Sequence, residues 1–126
     1  MKQRDNFFDV WGGISGCQHL LPLLIDADVS TEEICRLTSA DVAARFRIRG
    51  KGTIAIGNDA DFTLVDLNAT EVVSAESLDY RHKQSPYVGR TLRGRVRRTF
   101  LRGQMIYEDG NFAARPTGKL VRPNFR

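Results

Sequence analysis

Residues 89–107 read Gly-Arg-Thr-Leu-Arg-Gly-Arg-Val-Arg-Arg-Thr-Phe-Leu-Arg-Gly-Gln-Met-Ile-Tyr. With a period of two, this stretch places Leu92, Val96 and Phe100 on one face and Arg93, Arg95, Arg97 and Thr99 on the other. That alternation predicts a half-buried strand with a solvated basic face. Arg102 and Gly103 punctuate it, Met105, Ile106 and Tyr107 resume it as a second short strand, and Asp109-Gly110 closes the second with a favoured hairpin pair. Two strands are marginal alone, so others are expected against them. Ile54 and Ile56 alternate as one, residues 62–66 form a compact second, and Glu71, Val72 and Val73 a third. Residues 77–86 read as a short helical or irregular crossing.

Before Arg49 the period is helical. Residues 1–10 are polar apart from Phe7 and Phe8 and carry no clear period. The glycine-rich turn at residues 11–16 matches neither a P-loop nor the dinucleotide fingerprint. Ser15-Gly16-Cys17-Gln18 has capping-box spacing, and Leu20, Leu21, Leu23, Leu24 and Ile25 continue as a strongly apolar helix. Pro22 lies inside that helix and should bend it or interrupt one backbone bond. Ser30-Thr31-Glu32-Glu33 is a second capping box, opening a short helix with Ile34 and Leu37 inward, and a third helix runs from about residue 40 to 46. Short helices with a broad apolar surface suit packing on a sheet or barrel. The pattern is α+β: a helical front piece, then a small, mostly antiparallel sheet.

Composition narrows the classes. The chain has 126 residues, 41% of them hydrophobic, which is one ordinary domain with a modest core. No apolar run approaches the ~20 residues of a membrane span. The net charge of +4 comes largely from the strand face. Without interleaved aromatics or a binding motif, that charge argues against a nucleic-acid partner and for a face that is solvated or covered. Cys17 and Cys35 fall in predicted helices and no signal peptide is read, so reduced, buried thiols in a cytoplasmic protein are expected.

The chemistry is sparse. His19 and His82 are the two histidines and have no metal-ligand spacing. His19 sits among leucines as a structural residue, and Arg81 and Lys83 beside His82 oppose a metal there. Asp59 and Asp61 flank a turn into a strand, where aspartate bonds nearby backbone. Ser15 and Ser85 have no neighbouring base in sequence to activate them. No complete catalytic set is present.

Residues 51–66 resemble the segment by which amidohydrolase-superfamily enzymes re-enter their small β-sandwich domain. Residues 11–16 (Trp-Gly-Gly-Ile-Ser-Gly) and 81–90 (Arg-His-Lys-Gln-Ser-Pro-Tyr-Val-Gly-Arg), followed by Leu101-Arg102-Gly103, are similar to the C-terminal portion of allantoinases. The resemblance implies the terminal helices of an amidohydrolase (β/α)8 barrel in residues 1–50 and most of the composite β-sandwich in residues 51–126. It also implies a binuclear zinc centre in the full-length family. That centre is held by a His-x-His pair, a carboxylated lysine, two further histidines and an aspartate. Its bridging hydroxide hydrolyses the ring amide of allantoin to allantoate in purine catabolism. None of those ligands is matched here. The chain is expected to begin just after the last aspartate, and Asp5 and Asp9 fall outside its motif. A barrel needs ~250 residues.

In the family, backbone of the loop after the final barrel strand bonds the cyclic amide, and Trp11, Gly12 and Gly13 occupy the matching positions. Glycine permits close approach there, and a plain tight turn before a helix fits the same residues. Arg47 stands where relatives often end a helix with glycine, implying a strained left-handed cap. Asp41-Val42 replaces the usual Asn-Pro, which should retain a capping side chain.

The reading is an allantoinase C-terminal fragment, inactive alone, with no cofactor or metal of its own. Its exposed apolar helix faces should favour self-association or an N-terminal barrel chain as partner. The rival readings are the complementing half of a split allantoinase or hydantoinase, and a non-catalytic binding module using the basic strand face.

Overall fold

The computed structural model describes Asn6 and residues 15–81 and 83–123. Four antiparallel strands in the order β1-β2-β3-β4 make one sheet: β1 (Phe62–Val72), β2 (Thr91–Leu101), β3 (Gln104–Glu108) and β4 (Asn111–Phe112). Both tight turns follow from their residues. Arg102 and Gly103 join β2 to β3 at φ of 50° and 76°, and Asp109 and Gly110 join β3 to β4 at 43° and 94°. Positive φ at both central positions turns the chain in the sense that the strand twist requires.

The period of two holds along β2 until Val96 and is then interrupted. Val65 pairs with Val96 and Leu64 with Arg98, so Arg97 is an extra residue in the ladder. A second irregularity sets Asp66 opposite Arg95 and Thr70 opposite Arg93. The Asp66 carboxylate accepts from the Asn68 and Ala69 N–H groups at 3.2 and 3.1 Å, which supports this bulge. The expected separate strand at Glu71 and Val72 is therefore the far end of β1, continued through the bulge, and Val73 carries the pairing on. Its N–H donates to Arg90 O at 2.9 Å, and Gly89 N–H donates to Val73 O at 2.8 Å.

The helical part begins with a 3-10 turn (Cys17–His19) leading into α1 (Leu20–Asp26). Pro22 falls in the first turn of α1, where an N–H has no intrahelical acceptor, so it neither bends the helix nor removes a bond. The capping box expected at Ser15 is absent, because neither the 3-10 turn nor α1 has a side-chain cap. The Gln18 side chain is used elsewhere. The second box is half realised, with Ser30 Oγ accepting from Glu33 N–H at 3.2 Å.

α2 (Thr31–Cys35), a π turn (Arg36–Ala40) and α3 (Asp41–Arg45) follow one another without a break. The two helices expected here are thus one run. Asp41 lies inside it and pairs with Arg36 at 2.7 Å instead of capping. Leu37, expected inward, is exposed, because the wider π turn rotates it off the face of buried Ile34. The run ends with Arg47 at φ 50°. Ile48 N–H donates to Ala43 O at 2.9 Å and Arg47 N–H to Ala44 O at 3.2 Å, the Schellman pair with an arginine in the left-handed position. α1 ends in the same way at Asp28, φ 57°, with Val29 N–H donating to Leu24 O and Asp28 N–H to Ile25 O.

The core is small. Val73, Leu78 and Leu92 form its buried cluster, with Leu23, Tyr80 and Tyr87 packed against it. Leu78 is fully buried on an irregular crossing. Gln18 fastens that crossing to the helices. Its amide donates to Ser77 O at 2.8 Å and accepts from Asp79 N–H at 2.9 Å, while Gln18 N–H donates to the Tyr80 hydroxyl at 2.9 Å. Cys17 and Cys35 are free, as expected, but exposed rather than buried, because the short segments carrying them bury one residue each, His19 and Ile34.

α1 seats on β2 at Gly94. A Cβ there would stand 2.6 Å from Ile25 Cδ1, and the φ of Gly94 is 90°. Gly94→Ala should destabilise the fold by about 2–4 kcal/mol through overpacking and a left-handed backbone. Gly110→Ala has a similar φ of 94° and nothing within 4 Å, so it should lose only about 1–2 kcal/mol. Urea midpoints of the two variants check the difference.

Candidate functional site

Trp11, Gly12 and Gly13 lie outside the described residues, as does His82. The described residues next to them show where the two motifs meet. Ser85 Oγ donates to Ser15 O at 3.0 Å and accepts from Tyr87 N–H at 3.3 Å. A Cβ on Gly16 would stand 3.2 Å from Tyr87 Cε2. Ser15 and Ser85 therefore do come together, as a tether between the loop before α1 and the crossing between β1 and β2. Neither is placed as a nucleophile. The serine pair at 74 and 77 likewise closes its own turn, through reciprocal N–H to hydroxyl bonds of 3.3 and 3.2 Å.

His19, the last residue of the 3-10 turn, is buried at one side of an open cavity of about 340 Å³. Glu71, Arg95, Glu76, Asp79 and Tyr107 bring polar groups to the cavity, and Pro22, Val73 and Leu92 bring apolar ones. The imidazole packs edge-on to Tyr87 at 6.2 Å, and its Nδ1 has no hydrogen-bond partner among the described residues. Burial pushes the His19 pKa below its ordinary value, and the Glu71 carboxylate opposes this in part. Glu71 is itself engaged by Arg95 at 3.8 Å. No hydroxyl or thiol is hydrogen-bonded to the ring among the described residues, so the arrangement holds a neutral imidazole without giving it a group to activate.

Asp59 and Asp61 converge on the Lys51 ammonium, the first at 2.7 Å and the second in a closer contact. Asp61 also accepts from Arg102 N–H at 2.7 Å, and Gly103 N–H donates to Ala60 O at 2.9 Å. The carboxylates thus bolt the loop before β1 to the β2–β3 turn. Burial raises the Asp61 pKa, but the bonds from Lys51 and Arg102 outweigh it and hold the carboxyl below its ordinary range. The bonds of Lys51 to the two carboxylates raise its own pKa, with Asp59 first in effect and Asp61 second. Lys51 fills the place a bound cation would take. Among the described residues no three His, Cys, Asp or Glu side chains are grouped to hold a metal, so these residues do not fit a binuclear centre.

The basic face of β2 is covered by carboxylates of its own sheet and of the α1 end. Arg97 reaches Asp66 and Asp109 at 3.1 Å each, Arg95 reaches Asp109 at 3.5 Å, and Arg98 reaches Glu108 at 2.7 Å. Arg93 donates to Ile25 O at 2.7 Å at the end of α1 and pairs with Asp28. Sequence reading found the arginines but not their partners, which come from positions up to 68 residues away. Gln18, read from the sequence as the far end of a capping box, instead bonds Ser77, Asp79 and Tyr80, which lie about 60 residues away and leave no local mark. Among the described residues no helix is long and apolar enough to cross a membrane.

No protein-family model matches the chain. Curated proteins do. An allantoinase of Rubrobacter xylanophilus is 50% identical over 128 residues, covering 98% of this chain and 28% of that protein. Allantoinases of Solibacter usitatus and Desulfitobacterium hafniense are 43% and 48% identical, covering 98% and 94% of the chain and 28% and 27% of their own lengths. Among solved structures, a D-hydantoinase (dihydropyrimidinase) from Thermus sp. superposes with a TM-score of 0.85 at 26% identity, covering 93% of this chain and 27% of that one. An L-hydantoinase from Arthrobacter aurescens gives 0.80 at 27% identity, covering 87% and 26%. The chain spans little more than a quarter of the length of these relatives.

Two pH responses follow from the site. Unfolded, His19 titrates near its ordinary value of about 6.5, and folded it titrates lower, so between the two the unfolded chain binds more protons. Stability present above about pH 6.5 should therefore fall as the pH drops below it, and His19→Asn should flatten that fall in urea midpoints. The depressed Asp61 gives the same sign in a lower window. Its contribution is present above about pH 4 and lost as the pH falls through its folded value, a slope that Asp61→Asn should reduce.

Proposed function

Since the chain belongs to the allantoinase family of cyclic amidohydrolases, as the counterpart of the C-terminal portion of its members, we propose that it is a supporting part of an allantoin-hydrolysing enzyme and does not hydrolyse allantoin alone. In this reading residues 1–50 are the last loop and helices of the (β/α)8 barrel, and residues 51–126 are most of the composite β-sandwich. The metal centre belongs to the polypeptide carrying the rest of the enzyme, whether joined to this chain or separate. That polypeptide supplies the zinc ligands and the water to be activated. The contribution of this chain is structural, with backbone of Trp11, Gly12 and Gly13 lining the place of the cyclic amide.

One observation carries the reading: identity of up to 50% extends over 98% of this chain yet reaches only 28% of the relative's length. The tether of Ser15 to Ser85 and the packing of Gly16 on Tyr87 support it, because they join two of the segments that resemble allantoinases.

The purified 126-residue chain should show no allantoin hydrolysis above buffer. A fusion in which this chain replaces the matching C-terminal segment of the Rubrobacter xylanophilus allantoinase should hydrolyse allantoin. Activity from the chain alone, or none from a folded fusion, defeats the reading.

A further inference from the structure

The turn between β3 and β4 joins a reactive pair of residues to the groups that restrain it. One glycine of the chain follows an aspartate or asparagine, and it is Gly110 after Asp109. Both residues are exposed, and a Cβ on Gly110 would meet nothing within 4 Å. The Gly110 N–H makes no hydrogen bond with described residues. Its nitrogen thus has neither a side chain of its own residue nor a bound acceptor to shield it. Beyond it, β4 is two residues long and pairs only Phe112 with Tyr107 and Asn111 with Glu108. So short a strand opens at little cost, and local opening lets the turn leave its resting geometry.

The carboxyl group of the pair is held from β2. Arg97 Nη1 donates to Asp109 Oδ1 at 3.1 Å, and Arg95 Nη2 stands 3.5 Å from the same oxygen. Asp109 N–H donates to Arg97 O at 2.9 Å, and Arg97 Nη2 is anchored on Asp66 of β1 at 3.1 Å. Together these bonds oppose any swing of the carboxyl carbon onto the Gly110 nitrogen. The side chains of Arg97 and Asp109 are 41% and 45% exposed, so the restraint is partial and open to screening by salt.

We propose that Asp109 is a modification site, converting spontaneously to isoaspartate through Gly110 at a rate that Arg97 and Arg95 hold down. The Gly110 nitrogen forms a bond to Asp109 Cγ. The C–O bond of the protonated carboxyl breaks, and its hydroxyl leaves with the amide hydrogen as water. Solvent water then opens the cyclic imide. Attack at Cγ restores aspartate, and attack at the α carbonyl leaves the main chain running through Cβ and Cγ. Nothing is oxidised or reduced, and the water lost in closure is regained in opening. The product lengthens the turn by one methylene and carries its carboxylate on the α carbon. A turn that needs positive φ at both central positions does not keep its register with that insertion. The edge contact of Tyr107 with Phe112 at 5.2 Å is then lost, and Arg97 is left to Asp66.

The test incubates the purified 126-residue chain at neutral pH for several weeks. Isoaspartate is counted by enzymatic methyl transfer and located by peptide mapping, with deamidation at Asn111 told apart by its change in mass. Isoaspartate should accumulate at position 109 in the folded chain. Arg97→Gln and Arg95→Gln, each checked for its fold by circular dichroism, should raise the rate several-fold, and Arg97→Lys should stay close to the unsubstituted chain. Asp109→Glu should give no such product, because the longer side chain closes an imide far more slowly. Added salt should speed the unsubstituted chain and leave Arg97→Gln unchanged, a readout that needs no altered fold. A folded chain that forms no isoaspartate at position 109, while the same chain in urea does, overturns the proposal. Equal rates with and without Arg97, together with indifference to salt, overturn it as well.

Discussion

The seat of α1 on β2 is the contact on which the helical and sheet parts depend. It requires a residue without a side chain at position 94, because Ile25 occupies the space where a Cβ would stand. With the helix lowered to that distance, Leu23 reaches the cluster of Val73, Leu78 and Leu92. Arg93, next in the strand, reaches the end of the same helix and donates to Ile25 O. One close backbone approach thus positions an apolar core, a helix C-terminal hydrogen bond and the pairing of Arg93 with Asp28.

Around that seat, polar groups do more of the joining than apolar area does. Only six hydrophobic side chains are buried among the described residues, while fourteen large ones are exposed. Gln18, Ser85 and Asp61 each tie a loop to a distant element. Such bonds fix geometry more than they add stability, since each exchanges water for protein as partner. The wide exposed apolar surface sets this chain apart from a domain that buries most of its large hydrophobic side chains.

The carboxylates and the buried histidine have functions in the fold that resemble chemistry only from a distance. Asp59 and Asp61 are close enough to act as a pair, but the Lys51 ammonium stands between them. His19 is held neutral by burial, without a hydroxyl or thiol partner among the described residues. Both are consistent with a chain that spans only 28% of the length of a relative it matches.

Local patterns were enough to place much of the secondary structure. The two turn pairs, the long strand at residues 91–101 and the Ser30 cap all follow from residues within a few positions of one another, whereas the left-handed Arg47 was expected only from the resemblance to a family that places glycine there. The α+β class followed from the change of period near residue 49. Whatever depended on distant neighbours was not legible. The strand expected at Ile54 and Ile56 did not form, because pairing needs a second strand that local alternation does not supply. The break between two helices vanished because a π turn let one run continue through Arg36–Ala40. Leu37 and both cysteines stayed in solvent because short segments bury only what faces the sheet. The sequence could mark the arginines of β2 as a charged face. Only the folded chain, by bringing Asp66, Asp109 and Asp28 across from other elements, decided that the charge would be matched within the molecule.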